Sequence, residues 1–159
     1  MPGFAFVLTN RDKLVEQGKA PKTLSLDLLS QWEGLEANGQ FRFTPPTHSL
    51  MAFQEALREF KLEGGAQRRL HRYNENACQL RKGMESLGFK SVNDSPIIST
   101  FLYPDDFDFD EFYEKLAEES MYIYPGKMRE ADCFRIGTIG QIYEDDIHEL
   151  LQKIEDILN

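Results

Sequence analysis

One arginine in this sequence stands where ordinary surface charge would not put it. Arg135 lies inside the apolar run Cys133-Phe134-Arg135-Ile136-Gly137. As a strand, that run would send Phe134 and Ile136 to one face and Arg135 to the other. A guanidinium so placed needs an anion. Its planar fork fits a carboxylate of the protein itself, or the carboxylate or phosphonate of a small ligand, and the pattern leaves both open. Gly137 and Gly140 follow closely and are expected to permit close backbone approach. A second island is Arg42-Phe43-Thr44-Pro45-Pro46-Thr47-His48. Its two prolines forbid a regular helix or a central strand and give an extended turn. Thr47 is expected to cap the helix that follows, and Thr44 reads on pattern alone as a turn cap.

Other reactive residue types form no constellation. His48, His71 and His148 stand far apart, none with a zinc-like partner at helical spacing, so no metal site is expected. Cys78 falls in a helical pattern and Cys133 in a strand-like one, which predicts reduced, structural thiols. Neither a Gly-x-Ser-x-Gly turn nor a glycine-rich phosphate loop ahead of a helix is present.

The 159 residues, 41% hydrophobic and 12% aromatic, suffice for a sizeable core. A formal net charge of -9 repels nucleic-acid phosphates and anionic membrane surfaces, so neither is expected as a partner. No apolar run in the sequence approaches the roughly 18 to 20 residues of a membrane span, and no basic segment precedes the first apolar stretch. The expected location is cytoplasmic.

Elements that would position the two islands follow from periodicity. Residues 4–8 read as a buried strand, and its place at the start leads to the expectation that partner strands lie outside this chain. Residues 24–39 are helix-like, interrupted at Gly34 and closed by Asn38-Gly39. Leu50, Phe53, Leu57 and Phe60 line one face of a helix over 49–62, and Leu70, Tyr73, Ala77, Leu80 and Met84 one face of a helix over 66–87. Beyond these come a strand over 97–103, a helix over 108–120, strands over 121–124 and 133–136, and a helix over 144–158. Asp108 and Asp110, like Glu144, Asp145 and Asp146, sit where acids suit a helix N-terminus, and are read as caps rather than catalysts. The expected class is α/β, with helices packed on a small sheet in an α+β manner.

The stretches PGFAFV, SLDLLSQWE, RFTPPTH, EGG, SPIISTF, IYPGK and DCFRIGTIG, in this order, resemble those of the class V aminotransferase group, in particular the 2-aminoethylphosphonate:pyruvate transaminases. The resemblance covers nearly the whole chain. It implies the C-terminal part of a fold type I enzyme that uses pyridoxal 5'-phosphate and works as a homodimer on a small-molecule amino donor and a 2-oxo acid. Residues 1–47 would be the tail of the large cofactor-binding domain and 48–159 the small C-terminal domain. By the same resemblance, Thr44 is similar to the residue that reaches the cofactor phosphate of the neighbouring subunit, where a hydroxyl donor suits a phosphate oxygen. Arg135 resembles the arginine that binds the substrate's anionic group. Lys127 lies in a recurring stretch and is read as a solvated lysine.

The family's Schiff-base lysine has no counterpart here, since it precedes the PGFGFV-like strand, so no catalytic residue is assigned and the chain alone is expected to be inactive. Association with the missing N-terminal half is the corresponding expectation. Other readings are a related alanine:glyoxylate-type aminotransferase, a non-catalytic dimerisation or interaction domain, and a gene remnant.

Overall fold

A computed structural model describes residues 3–126, 128 and 131–159. The chain packs as two compact units, residues 1–59 and residues 60–159.

In residues 1–59 the ordering devices are caps. Helix α1, Arg11–Gln17, starts where the Asn10 side chain accepts from the Lys13 N–H at 3.1 Å. Helix α2, Leu28–Asn38, starts where Asp27 accepts from the Ser30 N–H at 3.0 Å and the Ser30 hydroxyl at 2.6 Å. It ends at Gly39, whose φ of 70° is the left-handed conformation that a side chain disfavours. Asn38-Gly39 therefore stops the helix as the sequence indicated. Gly34 does not break it.

The strand expected over residues 4–8 is not there. Residues 3–10 carry no regular structure, and Phe6, Val7 and Leu8 are exposed. A strand exists only by pairing, and no described segment takes up its backbone groups. Phe4 instead sets its ring edge-on to Phe53 at 5.2 Å. Helix α1 was not read from the sequence; its seven residues are too few to establish a period.

Helix α3, Thr47–Glu63, begins at Thr47 rather than after it. Thr47 donates its N–H to the Pro45 carbonyl at 2.9 Å, and Leu50 donates to the Pro46 carbonyl at 3.0 Å, so a proline carbonyl opens the helix. None of its residues is buried.

Residues 60–159 hold the core. Helix α4, Gly65–Ser86, puts Ala77, Leu80 and Met84 inside, matching three of the five apolar positions expected on its face. A three-stranded antiparallel sheet follows, ordered β1-β3-β2, with β1 Ile98–Leu102, β2 Tyr124–Pro125 and β3 Cys133–Gly137. The strand expected over 121–124 shrinks to β2, because the Met121 N–H is already bonded to the Leu116 carbonyl. Helix α5, Phe109–Glu118, is capped by Asp108, whose carboxylate accepts from the N–H groups of Asp110 and Glu111. Helix α6, Glu144–Leu158, begins with Asp146 accepting from the Tyr143 N–H at 2.7 Å. The cap readings hold for these two acids.

One face of the sheet packs on α4, α5 and α6 through Phe101, Phe134 and Ile136. Phe134 is fully buried, with Phe89, Phe101, Phe107, Phe109 and Phe112 around it. Gly83 lets α6 approach α4, since a Cβ there would collide with the Leu151 side chain.

Candidate functional site

Alternation along β3 does to Arg135 what the sequence implied. Phe134 and Ile136 enter the core while Arg135 takes the opposite face, half-buried. The strand is the centre of the sheet. Arg135 is in register with Thr100 on β1 and with Tyr124 on β2, so these three side chains form one row across the sheet on the same face. Thr100 is 8% exposed and Tyr124 60%. Outside β1 the chain at 90–93 lies alongside: Val92 donates to the Thr100 carbonyl, and Asn93 both accepts from the Thr100 N–H at 2.8 Å and donates to the Ile98 carbonyl at 2.9 Å. That edge is thus closed by backbone and an amide side chain.

The glycines act differently from expectation. Gly137 is only in ordinary contact range of its neighbours, a Cβ there lying 3.9 Å from the Tyr124 ring. Gly140 is required by conformation, with φ of 85° and open space around it. Close approach occurs instead at Gly126, where a Cβ would collide with Cys133.

Helix α4 fastens the turn after β3. Arg72 donates to the Gly140 carbonyl at 2.9 Å and to the Ile142 carbonyl at 2.7 Å, and Asn76 donates to Ile142 at 2.8 Å. Glu63 receives Arg72 at 2.8 Å and Arg69 at 2.7 Å. The hydrogen bond from Arg72 is the main reason that the Glu63 carboxyl titrates below its ordinary value and Arg72 above its own. Sequence reading did not find this cluster, because it joins residues nearly seventy positions apart.

Thr44 belongs to residues 1–59, and Arg135 to residues 60–159. Thr44 is exposed in the turn ahead of α3. Arg42 holds this turn by an ion pair with Asp27 at 3.0 Å, a hydrogen bond from its N–H to Gln31 at 3.2 Å, and its guanidinium 5.3 Å from the Phe43 ring centre. The Asp27 carboxyl is lowered first by the Ser30 hydroxyl, with Arg42 a smaller cause.

The remaining candidates are scattered. His48 is exposed, His71 pairs with Glu75 at 3.2 Å, and His148 contacts Gln79. Among the described residues no group of three or more His, Cys, Asp or Glu side chains is placed to hold a metal ion. Cys78 is exposed and Cys133 buried, both as free thiols. Lys127 lies outside the described residues. Among the described residues no helix is long and apolar enough to cross a membrane.

No protein-family model matches the chain. Curated relatives do. The chain is 46% identical over 160 residues to a 2-aminoethylphosphonate--pyruvate transaminase of Bacillus cereus (strain Q1), a match that covers 97% of this chain and 44% of the relative. It is 47% identical over 163 residues to the transaminase of the same name from Vibrio cholerae serotype O1 (strain ATCC 39541 / Classical Ogawa 395 / O395), covering 98% and 44%. The chain thus spans less than half the length of the relatives it matches. Among solved structures, an alanine--glyoxylate aminotransferase from Nostoc sp. superposes with a TM-score of 0.76 at 22% identity, over 95% of this chain and 43% of that one. The resemblance carried by the RFTPPTH and DCFRIGTIG stretches is borne out, and the fold is that of part of a fold type I aminotransferase.

Proposed function

We propose that this chain is part of a pyridoxal-phosphate aminotransferase that passes an amino group from 2-aminoethylphosphonate to pyruvate, yielding phosphonoacetaldehyde and alanine. The observation that carries this reading is the identity of 46–47% along nearly the whole chain to transaminases named for those two substrates. The position of Arg135 supports it. Both substrates are anionic, one through a phosphonate and the other through a carboxylate, and a guanidinium on a rigid central strand can bind either by two parallel hydrogen bonds from its planar fork. Strand β3 fixes the backbone of Arg135, and the Phe134 and Ile136 side chains below anchor the strand.

The described residues fit a further part of the same task. The Thr44 hydroxyl, exposed in a turn held by Arg42 and Asp27, suits a phosphate oxygen of the cofactor. When bound, the cofactor would supply the aldehyde that carries the amino group and the ring that withdraws electrons from the reacting carbon. A lysine that anchors it must be neutral for attack, which requires desolvation or a neighbouring cation. The described lysines lack that setting: Lys13, Lys19, Lys22, Lys61, Lys82, Lys90 and Lys115 are exposed, and Lys153 pairs with Glu119 at 2.7 Å, which raises its pKa. None of the described lysines is thus suited to anchor the cofactor, and in this reading the chain alone is inactive. Its division into a large-domain tail over 1–47 and a small domain over 48–159, and its work as a cytoplasmic homodimer, belong to the same proposal. So does the role of the apolar side chains exposed in residues 1–59, as the surface that meets the rest of the enzyme or its second subunit.

The test is a chimera joining this chain to the remaining length of the Bacillus cereus relative. Formation of alanine from 2-aminoethylphosphonate and pyruvate is the expected result. A folded chimera that binds the cofactor yet transfers no amino group between these substrates would refute it.

A further inference from the structure

We propose that Tyr124 lets this site tell a phosphonate from a carboxylate, by adding a third donor beside the Arg135 fork; the inference rests on Arg135 being the anion clamp. The sheet register carries it. Tyr124 on β2 faces Arg135 on β3 directly, and Thr100 on β1 faces it from the other side. Residues so opposed share a face, with Cβ atoms about 4.5–5.5 Å apart. A ligand held by Arg135 therefore meets both flanks of the row.

The flanks are unequal. Thr100 is 8% exposed, and the chain at 90–93 closes its edge. Tyr124 is 60% exposed, and two positions beyond Arg135 on the same face comes Gly137, which raises no side chain against the ring. The phenol therefore has access to a ligand on this face, and its O–H is a donor.

The two anions differ in what they leave unsatisfied. A carboxylate has two oxygens, and a bidentate guanidinium engages one lone pair on each, leaving further lone pairs that lie in the same plane as the fork. A phosphonate has three oxygens in a tetrahedral array, so with two on the fork the third stands out of the guanidinium plane and takes a donor from elsewhere. Beside Arg135, Tyr124 is the exposed donor that the row supplies. Discrimination then follows as a difference of two affinities, with the carboxylate gaining less from the phenol because its remaining lone pairs lie in the plane of the fork.

The test titrates the full chain with methylphosphonate, held as its dianion, and with acetate, following the 15N resonance of Arg135 Nε. Tyr124→Phe removes only the hydroxyl and should lower the ratio of methylphosphonate to acetate affinity by about tenfold, the loss expected for one hydrogen bond to a charged group. Arg135→Gln should weaken both anions together. An unchanged ratio in Tyr124→Phe, while Arg135→Gln weakens both, overturns the role of Tyr124 and leaves the clamp standing. Unaltered affinities in Arg135→Gln overturn the clamp and this inference with it. A wild-type chain with no preference for methylphosphonate also overturns the inference. Protection of the β3 amides from exchange in each variant shows that the sheet is intact.

Discussion

Residues 60–159 enclose a core of large apolar side chains, with Leu80, Phe101, Phe134 and Ile154 fully out of solvent, whereas in residues 1–59 Leu29 alone is buried among those described and Leu8, Leu26 and Met51 stand 91%, 76% and 69% exposed. The first set folds on area removed from water. The second is held by caps, the Asp27–Arg42 ion pair and the Phe4–Phe53 contact. Helices of seven and eleven residues are marginal on their own in water, so α1 and α2 owe their order to such local devices and to whatever covers their apolar side chains. A sequence can thus hold one unit whose fold is explained from within and another whose apolar residues match no interior of their own.

The largest effect that could break this comparison is a cavity. Phe134→Ala should cost about 3–5 kcal/mol, whereas Phe53→Ala on α3 should change stability by no more than about 0.5–1 kcal/mol. Denaturant unfolding of the two variants measures both. Equal losses would show that residues 1–59 hide a core of their own.

A pair of helical glycines sharpens the contrast at smaller scale. A Cβ on Gly83 would collide with Leu151, so Gly83→Ala should destabilise by about 1–3 kcal/mol. A Cβ on Gly34 would meet only the Gln40 carbonyl oxygen at 3.9 Å, so Gly34→Ala should stabilise α2 by about 0.5–1 kcal/mol. Melting curves of the two variants should move in opposite directions.

The smallest effect is one of pH. Folding lowers the Glu63 pKa, so the folded state binds this proton less readily than the unfolded state. The stabilisation is complete above the ordinary carboxylate pKa and fades as pH falls through that value towards the lowered one. Glu63→Gln should flatten this part of the acid limb in a stability-against-pH series. An unaltered limb would mean that the Arg69 and Arg72 pairs contribute no pH dependence.

Legibility in the sequence followed the same division. The periods of α4, α5 and α6 and the run of β3 are visible because their apolar residues are buried by other parts of this chain. The face of Leu50, Phe53, Leu57 and Phe60 gave α3 correctly, although that face lies half in water here. Residues 4–8 look like a buried strand by composition, but strand formation is decided by a partner, which composition does not contain. At the site, the face taken by Arg135 could be read from alternation alone. The pairing of Tyr124 with it could not, since register depends on where β2 and β3 meet. Arg42 and Asp27 lie fifteen residues apart, and no short motif joins them.

The central claim, that Arg135 is a substrate clamp, is tested most directly by Arg135→Ala in the chimeric enzyme, with kcat/KM and melting temperature measured on the same preparation. Loss of one partner of a desolvated charge pair costs about 2–5 kcal/mol, so kcat/KM should fall about 30-fold to several thousand-fold for both half-reactions while the melting temperature barely moves. A lowered melting temperature with near-normal kcat/KM on the folded fraction would contradict the claim and make Arg135 an internal ion-pair partner.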